Sequence, residues 1–306
     1  TTNADNAMVK FAGGSLSASN NFFGPFRGNL AGVSTTAPTA IRQAEYIVNL
    51  MTGNNPAFTD VEDPRAIYLL RTNVNGTFKG LKPNKGQFDL PANDRPENFW
   101  GVAQNGTSAN NTAPSTDANA RFIFRNTAPF PIMTASEIQF IKAEAAFRKG
   151  DKQTAYNAYK EAISLHFDLL TSTYNVNIPQ GKEITATKKD AYLSNPAVVP
   201  PTPAGLILSR IMLQKYIAMF GYGTLETWVD MRRYHYTDKD PETGRQVYVD
   251  FTPPSGTDLF PDNNGKFVYR MRPRFNSEYV WNINELGRIG ATATDYHTIE
   301  TWFSKP

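Results

Sequence analysis

The sequence predicts a mainly α-helical protein, built of tetratricopeptide-like helical hairpins with long irregular loops and a few short strands. Three observations predict it. Residues 134–149 are rich in helix formers and begin at Thr134, a residue type that caps helix N-termini, and Gly150 then stands where a left-handed C-terminal residue is wanted. Asp151 can cap a second helix at once, with Ala155, Ala158, Tyr159, Ala162, Ile163 and His166 on its apolar face. Two helices across a two-residue turn form an antiparallel hairpin, and small alanines on the facing sides allow close approach. Third, an apolar stretch from Pro203 to Phe220, closed by Gly221, precedes a helix over 224–234, which gives a second hairpin.

The remaining elements follow in chain order. Residues 1–37 are rich in Gly, Ser, Asn and Phe and read as loop, with helical periodicity only around Met8-Val9-Lys10-Phe11. Ile41, Ala44, Ile47, Val48 and Met51 recur at helical spacing until Gly53, which predicts a helix over 39–52. The next eighty residues are dominated by loop, with strand-like pieces at 66–70 and 121–124. Their aromatics, among them Tyr68, Phe78, Phe88, Phe99 and Trp100, argue for order. The helix over 203–220 carries Leu206, Ile207, Ile211, Leu213, Ile217 and Met219 and is expected to be fully buried, and the next one places Leu225, Trp228, Val229 and Arg232 on one side. Residues 238–282 read as loop, and a short helix is expected over 295–303.

Bulk properties exclude several function classes. A net charge of +3 over 306 residues, without runs of Lys or Arg, lacks the footprint of a nucleic-acid binder. The chain has no cysteine, which removes disulfides, thiolate metal sites and cysteine nucleophiles together. No apolar run approaches the roughly 18 residues of a membrane helix, and Thr1-Thr2-Asn3-Ala4-Asp5 is not a signal peptide. The three histidines, His166, His235 and His297, have no metal-binding spacing, and Asp262-Asn263-Asn264-Gly265 reads as a turn rather than a calcium loop. No nucleotide fingerprint or nucleophile elbow is found, so neither cofactor nor metal is expected. A carboxylate pair for glycoside hydrolysis would come from distant segments, and nothing singles one out.

Four ordered motifs carry a family resemblance. Ser136-Glu137-Ile138-Gln139-Phe140-Ile141-Lys142-Ala143-Glu144-Ala145, then Gly150-Asp151 and an Ala/Tyr-rich helix, resembles the signature helix pair of SusD/RagB proteins. Glu226-Thr227-Trp228-Val229-Asp230-Met231-Arg232-Arg233 is similar to the family's acid, aromatic and paired-arginine stretch. Arg272-Pro273-Arg274 with Glu278 and Asn282 resembles a segment near its carboxy terminus, and Asp63-Pro64-Arg65 and Asn75-Gly76-Thr77-Phe78-Lys79-Gly80 stand in the expected order upstream. The closing Trp302 fits as well. The resemblance implies one SusD-like domain over 1–306, corresponding to the carboxy-terminal portion of longer proteins that carry further helices and a lipidated N-terminal Cys. It further implies a non-catalytic surface protein that captures oligosaccharides for a TonB-dependent outer-membrane transporter, held to the membrane only by a lipid anchor outside this sequence. Peptide binding and a structural lid or adaptor role are the alternatives.

Sugar recognition calls for flat apolar faces ringed by amides, carboxylates and guanidinium groups. The loop from Pro91 to Gly101 holds all of these, so Asn93, Asp94, Arg95, Phe99 and Trp100 are the first candidate site. Either Phe99 and Trp100 form a stacking platform or they fill a gap beneath a long loop. Asp63, Arg65 and Tyr68 form a second candidate, with Tyr68 as a ligand contact, unless the Asp–Arg pair simply pins the loop. Trp228, Asp230, Arg232 and Arg233, and likewise Glu278, Tyr279 and Trp281, read better as packing.

Overall fold

The computed structural model describes residues 1–14, 19–21, 42–96 and 121–305. In chain order the helices are α1 (Glu45–Met51), α2 (Ala66–Leu69), α3 (Ala135–Arg148), α4 (Lys152–Thr173), α5 (Ala186–Ser194), α6 (Leu208–Ala218), α7 (Thr224–Arg233), α8 (Glu278–Trp281) and α9 (Ile283–Arg288). Two short strands, β1 (Ala7–Val9) and β2 (Phe130–Met133), pair antiparallel, with Val9 opposite Phe130. The fold is thus mainly helical, with helical hairpins and irregular connections.

The first hairpin forms as its caps dictate. Thr134 Oγ1 accepts from Glu137 N at the start of α3, and Asp151 Oδ1 accepts from Thr154 N at the start of α4. Gly150 lies between them at φ +80°. Ala143, Ala155, Ala158 and Ala162 are buried along the seam, and Ser136 Oγ donates to the Ala162 carbonyl at 2.8 Å, a contact that only closely packed helices permit. Helix α6 lies against α3, α4 and α1, and Ile211, Met212, Leu213 and Ile217 are fully buried there. A smaller apolar cluster, Leu286, Ala291 and Tyr296, gathers near the C-terminus.

Six expectations need correction. Residues 66–69 are helical because Asp63 Oδ1 accepts from Arg65 N and the Asp63 carbonyl from Ala66 N, so that Asp63 starts a turn that Pro64 is preset to continue. Residues 122–124 form a 3-10 turn with Phe122 at φ +51°, and the Arg121 guanidinium caps the end of α2 through the carbonyls of Ile67 and Leu70. Residues 7–9 are a strand. Helix α1 begins only at Glu45, since Ala44 is extended and pairs with Leu81, and a Cβ on Gly80 would lie 2.4 Å from the Glu45 Cα. Helix α6 begins at Leu208, after a 3-10 turn at Pro203–Gly205 and extended Leu206 and Ile207. Near the C-terminus the helices are α8 and α9, while 296–298 is a single 3-10 turn.

Because nothing lies within 4 Å of a Cβ added to Gly150, alanine there meets only the left-handed backbone penalty. Gly150→Ala is expected to lower unfolding free energy by about 1–2 kcal/mol, read from urea denaturation.

Candidate functional site

A cleft of about 700 Å³ opens where four segments meet: the turn after α1, the start of α2, the 72–78 turn and the segment before α5. Thr52, Glu62, Ile67, Thr77, Phe78 and Lys182 are among its walls, a mixture of apolar surface, hydroxyls and charge.

The 72–78 turn is shaped by Asn73. Its Oδ1 accepts from Asn75 N, Thr77 N and Thr77 Oγ1, all at 3.0 Å, while Asn73 N donates to the Thr77 carbonyl at 2.8 Å. Gly76 takes φ +75° at the tip. Buried Gln43 fastens the base, donating to the carbonyls of Arg71 and Lys79 and accepting from Arg71 N. The turn also reaches the first candidate loop, since Asn75 Nδ2 donates to the Asn93 carbonyl at 3.4 Å. Asn93 and Asp94 belong to a 3-10 turn, Ala92–Asp94, and the Asn93 side chain is exposed. Arg95 Nε donates to the Leu90 carbonyl and its guanidinium lies 4.8 Å over the Phe88 ring. Phe99 and Trp100 lie outside the described residues.

Behind the cleft wall sits a buried polar network. Asp63 and Arg65 pair at 2.6 Å with both side chains fully buried. Arg65 also donates to Gln214 Oε1 at 2.7 Å, His166 Nδ1 at 3.0 Å and Tyr192 at 3.3 Å, and it stacks 4.9 Å over the Phe167 ring. Tyr192 in turn donates to Asp63 Oδ2 at 2.8 Å. Burial alone would lower the Arg65 pKa, but Asp63 and Tyr192 reverse the balance and raise it. His166 is pushed well below its ordinary value, first by burial and then by the Arg65 charge, so it stays neutral and accepts from Arg65. The Asp–Arg pair therefore pins the loop, and Tyr68 is buried beside it, donating to Asn175 Oδ1 at 2.6 Å and accepting from Ile184 N. Sequence reasoning missed Thr52, Glu62 and Lys182, which come from separate segments; only Asn73-x-Asn75-Gly76 advertised its turn locally.

The motif residues Trp228, Asp230, Arg232 and Arg233 are structural, whereas Trp281, expected to pack, does not. Arg233 holds Glu144 with two 2.9 Å bonds and Asp230 at 2.8 Å, and Lys215 holds Asp230 at 2.6 Å. Arg232 lies 3.7 Å over Trp228 and 4.8 Å over Phe303. Leu225 is exposed rather than packed, and Trp281 is 85% exposed. Among the described residues no cluster of His, Asp and Glu could hold a metal, and no helix is long and apolar enough to cross a membrane.

The chain thus combines a helical-hairpin scaffold with a loop-built cleft, and sequence comparison gives the family. Residues 1–248 match the SusD-like family described as "starch-binding associating with outer membrane", and the chain belongs to that family. Comparison with the curated proteins finds no match. Similar solved structures include a SusD homologue from Bacteroides fragilis NCTC 9343 (19% identity, TM-score 0.57, 100% of this chain and 58% of that one). A chitin-binding protein (16% identity, TM-score 0.58, 100% and 56%) and a SusD homologue from Parabacteroides distasonis ATCC 8503 (18% identity, TM-score 0.54, 99% and 58%) are also similar. These likenesses bear on the fold, and the chain spans rather more than half the length of each.

Two outcomes test the network. Arg65→Met strands the Asp63 carboxylate in the core and is expected to destabilise the protein by about 3–5 kcal/mol, measured by denaturant titration. His166 is neutral when folded but takes up a proton when unfolded below its ordinary value of 6.5, so the unfolded chain binds more protons there. Its contribution is fully present above that pH and is lost on acidification, at up to about 1.4 kcal/mol per pH unit. The difference in stability between the native chain and His166→Gln should show that slope below pH 6.5 and flatten above it.

Proposed function

We propose that this protein is a non-catalytic surface component that captures oligosaccharides at the outer membrane and passes them to a TonB-dependent transporter. Membership in the SusD-like family, whose description names starch binding and the outer membrane, carries the reading. The cleft supports it. Its rigid rear wall, the Asn73-shaped turn and the link from Asn75 to Asn93 set apolar surface beside hydroxyls and amides, as sugar rings require. Asn93, Asp94 and Arg95 begin the loop that leads to Phe99 and Trp100, and in this reading those two rings supply the stacking face. Tyr68 supports the wall from behind. The Asp63 carboxylate is fully buried and held by Arg65, so it belongs to the wall rather than to the cleft surface. In this reading a lipid anchor outside the sequence holds the protein at the cell surface.

One observation favours an additional adaptor or lid role. Ile138 and Ile141 on α3, with Ile132 and Met133 of β2, expose apolar surface on the signature hairpin and its flanking strand. Such a role is compatible with glycan capture.

Affinity gels containing a panel of plant, starch and host polysaccharides test the main reading. Selective retardation by one polymer is expected, and Trp100→Ala should weaken it by about 1–3 kcal/mol with folding stability intact. No retardation by any polymer would remove the glycan reading in favour of a peptide ligand.

A further inference from the structure

The segment following α7 folds around a second cavity, about 420 Å³ in volume, which shares no lining residue with the cleft among the described residues. Tyr236, Phe251, Pro253, Pro254, Leu259 and Phe267 make most of its wall. Tyr236 lies 5.4 Å edge-on to Phe267 and 6.4 Å stacked with Phe251, and Tyr46 meets Phe251 edge-on at 5.2 Å. The Asn84 amide donates to the Asp258 carbonyl and Lys85 pairs with the Asp258 carboxylate at 2.8 Å, which ties residues 84–85 to the turn beside Leu259. Phe260 lines the cavity and is 60% exposed, so the cavity opens to solvent there.

Few hydrogen-bonding groups are offered inside. The Tyr236 hydroxyl accepts from Trp228 Nε1 at 2.9 Å and donates to the Val268 carbonyl. Asn263 Oδ1 is held by His297 Nε2 at 2.6 Å, and the terminal nitrogens of Arg272 donate to the carbonyls of Ala293 and Thr294 and to the Tyr279 hydroxyl. His297 Nδ1 and Arg272 Nε have no partner but are sealed from solvent, so a ligand in the cavity does not meet them. A sugar moved into this space would give up the water on its hydroxyls for little in return. The cavity therefore selects against bare sugars and for an apolar guest.

We propose that the cavity is a second binding site, for an aromatic group of up to two rings. Volume decides the size, since an apolar cavity of about 150 Å³ already admits benzene, and 420 Å³ holds two fused rings or one ring with a short chain. The wall decides the type. Its rings present both edges and faces, and an aromatic guest completes edge-to-face and offset pairs that an alkyl chain cannot. Contacts with Tyr46, Trp228 and Asp258 order the wall in advance, so binding requires little rearrangement. The guest is either a free aromatic compound, which makes the site independent of glycan capture, or an aromatic substituent carried on a glycan, which rests on that reading.

Calorimetric titration with naphthol, naphthyl β-glucoside, octyl β-glucoside and methyl β-glucoside tests the assignment. Both naphthyl compounds are expected to bind at least tenfold more tightly than methyl β-glucoside, and octyl β-glucoside severalfold more weakly than its naphthyl counterpart. Leu259→Trp, which sets an indole in the cavity, should cut naphthyl affinity at least tenfold. Phe260→Ala, at an exposed position, should weaken it severalfold. Thermal melting shows that each variant folds, and if one does not, the other decides. Naphthyl glucoside tighter than naphthol assigns the guest to a glycan substituent, and naphthol at least as tight assigns it to a free compound; either supports the site. No naphthyl binding, octyl β-glucoside binding as well as the naphthyl glucoside, or naphthyl affinity unchanged by the substitutions overturns it. Retardation by a polysaccharide without naphthyl binding removes this site and leaves glycan capture standing.

Discussion

A single buried guanidinium organises the cleft. Arg65 has no exposed surface, and a charge removed from water this far is tolerated only when carboxylate, amide, imidazole and aromatic partners surround it. Its partners come from α4 (His166 and Phe167), α5 (Tyr192) and α6 (Gln214), so a turn that would otherwise lie loosely on the surface is fixed to three helices. Pro64 and Ile67, which face the cleft, are within two residues of it. The wall is thereby set before any ligand arrives, which reduces the ordering that binding requires.

A second ionic cluster does for the hairpins what Arg65 does for the cleft. Glu144 on α3, Lys215 on α6 and Asp230 and Arg233 on α7 form a continuous chain of ion pairs, and the Tyr234 hydroxyl donates to Glu144 at 2.6 Å. Burial alone would raise the Glu144 carboxyl, but Arg233 and Tyr234 hold it below its ordinary range. Arg232 meanwhile faces the other way, donating to the Tyr269 carbonyl at 2.7 Å and covering Phe303, so the same helix anchors the C-terminal segment. The paired arginines of α7 thus have separate architectural tasks.

The hairpin of α3 and α4 was legible because its signals are local: two capping side chains, a glycine with positive φ and apolar positions at helical spacing. The pieces at 66–70 and 121–124 were misread because short apolar runs suit helix and strand alike, and what decides between them is the Asp63 cap and the reach of Arg121, contacts that a periodicity reading does not weigh. α8 and α9 were missed for the opposite reason, since their sequence is polar and punctuated by Asn282 and Gly287 and only Leu286 is buried. For the site, the turn chemistry of Asn73 to Thr77 could be read in place. Assembly of Thr52, Glu62, Phe78 and Lys182 around one cleft could not, because it depends on tertiary contacts among distant segments.

The central claim is that a sugar ligand sits in the cleft between the 72–78 turn and the start of α2, beside the loop that begins at Pro91. Amide hydrogen exchange with and without a retarding oligosaccharide tests it most directly. The account predicts slowed exchange in residues 62–67, 72–78 and 91–96, with the buried amides of α3 and α4 unchanged. Protection confined to other segments, or none at saturating ligand, would contradict it.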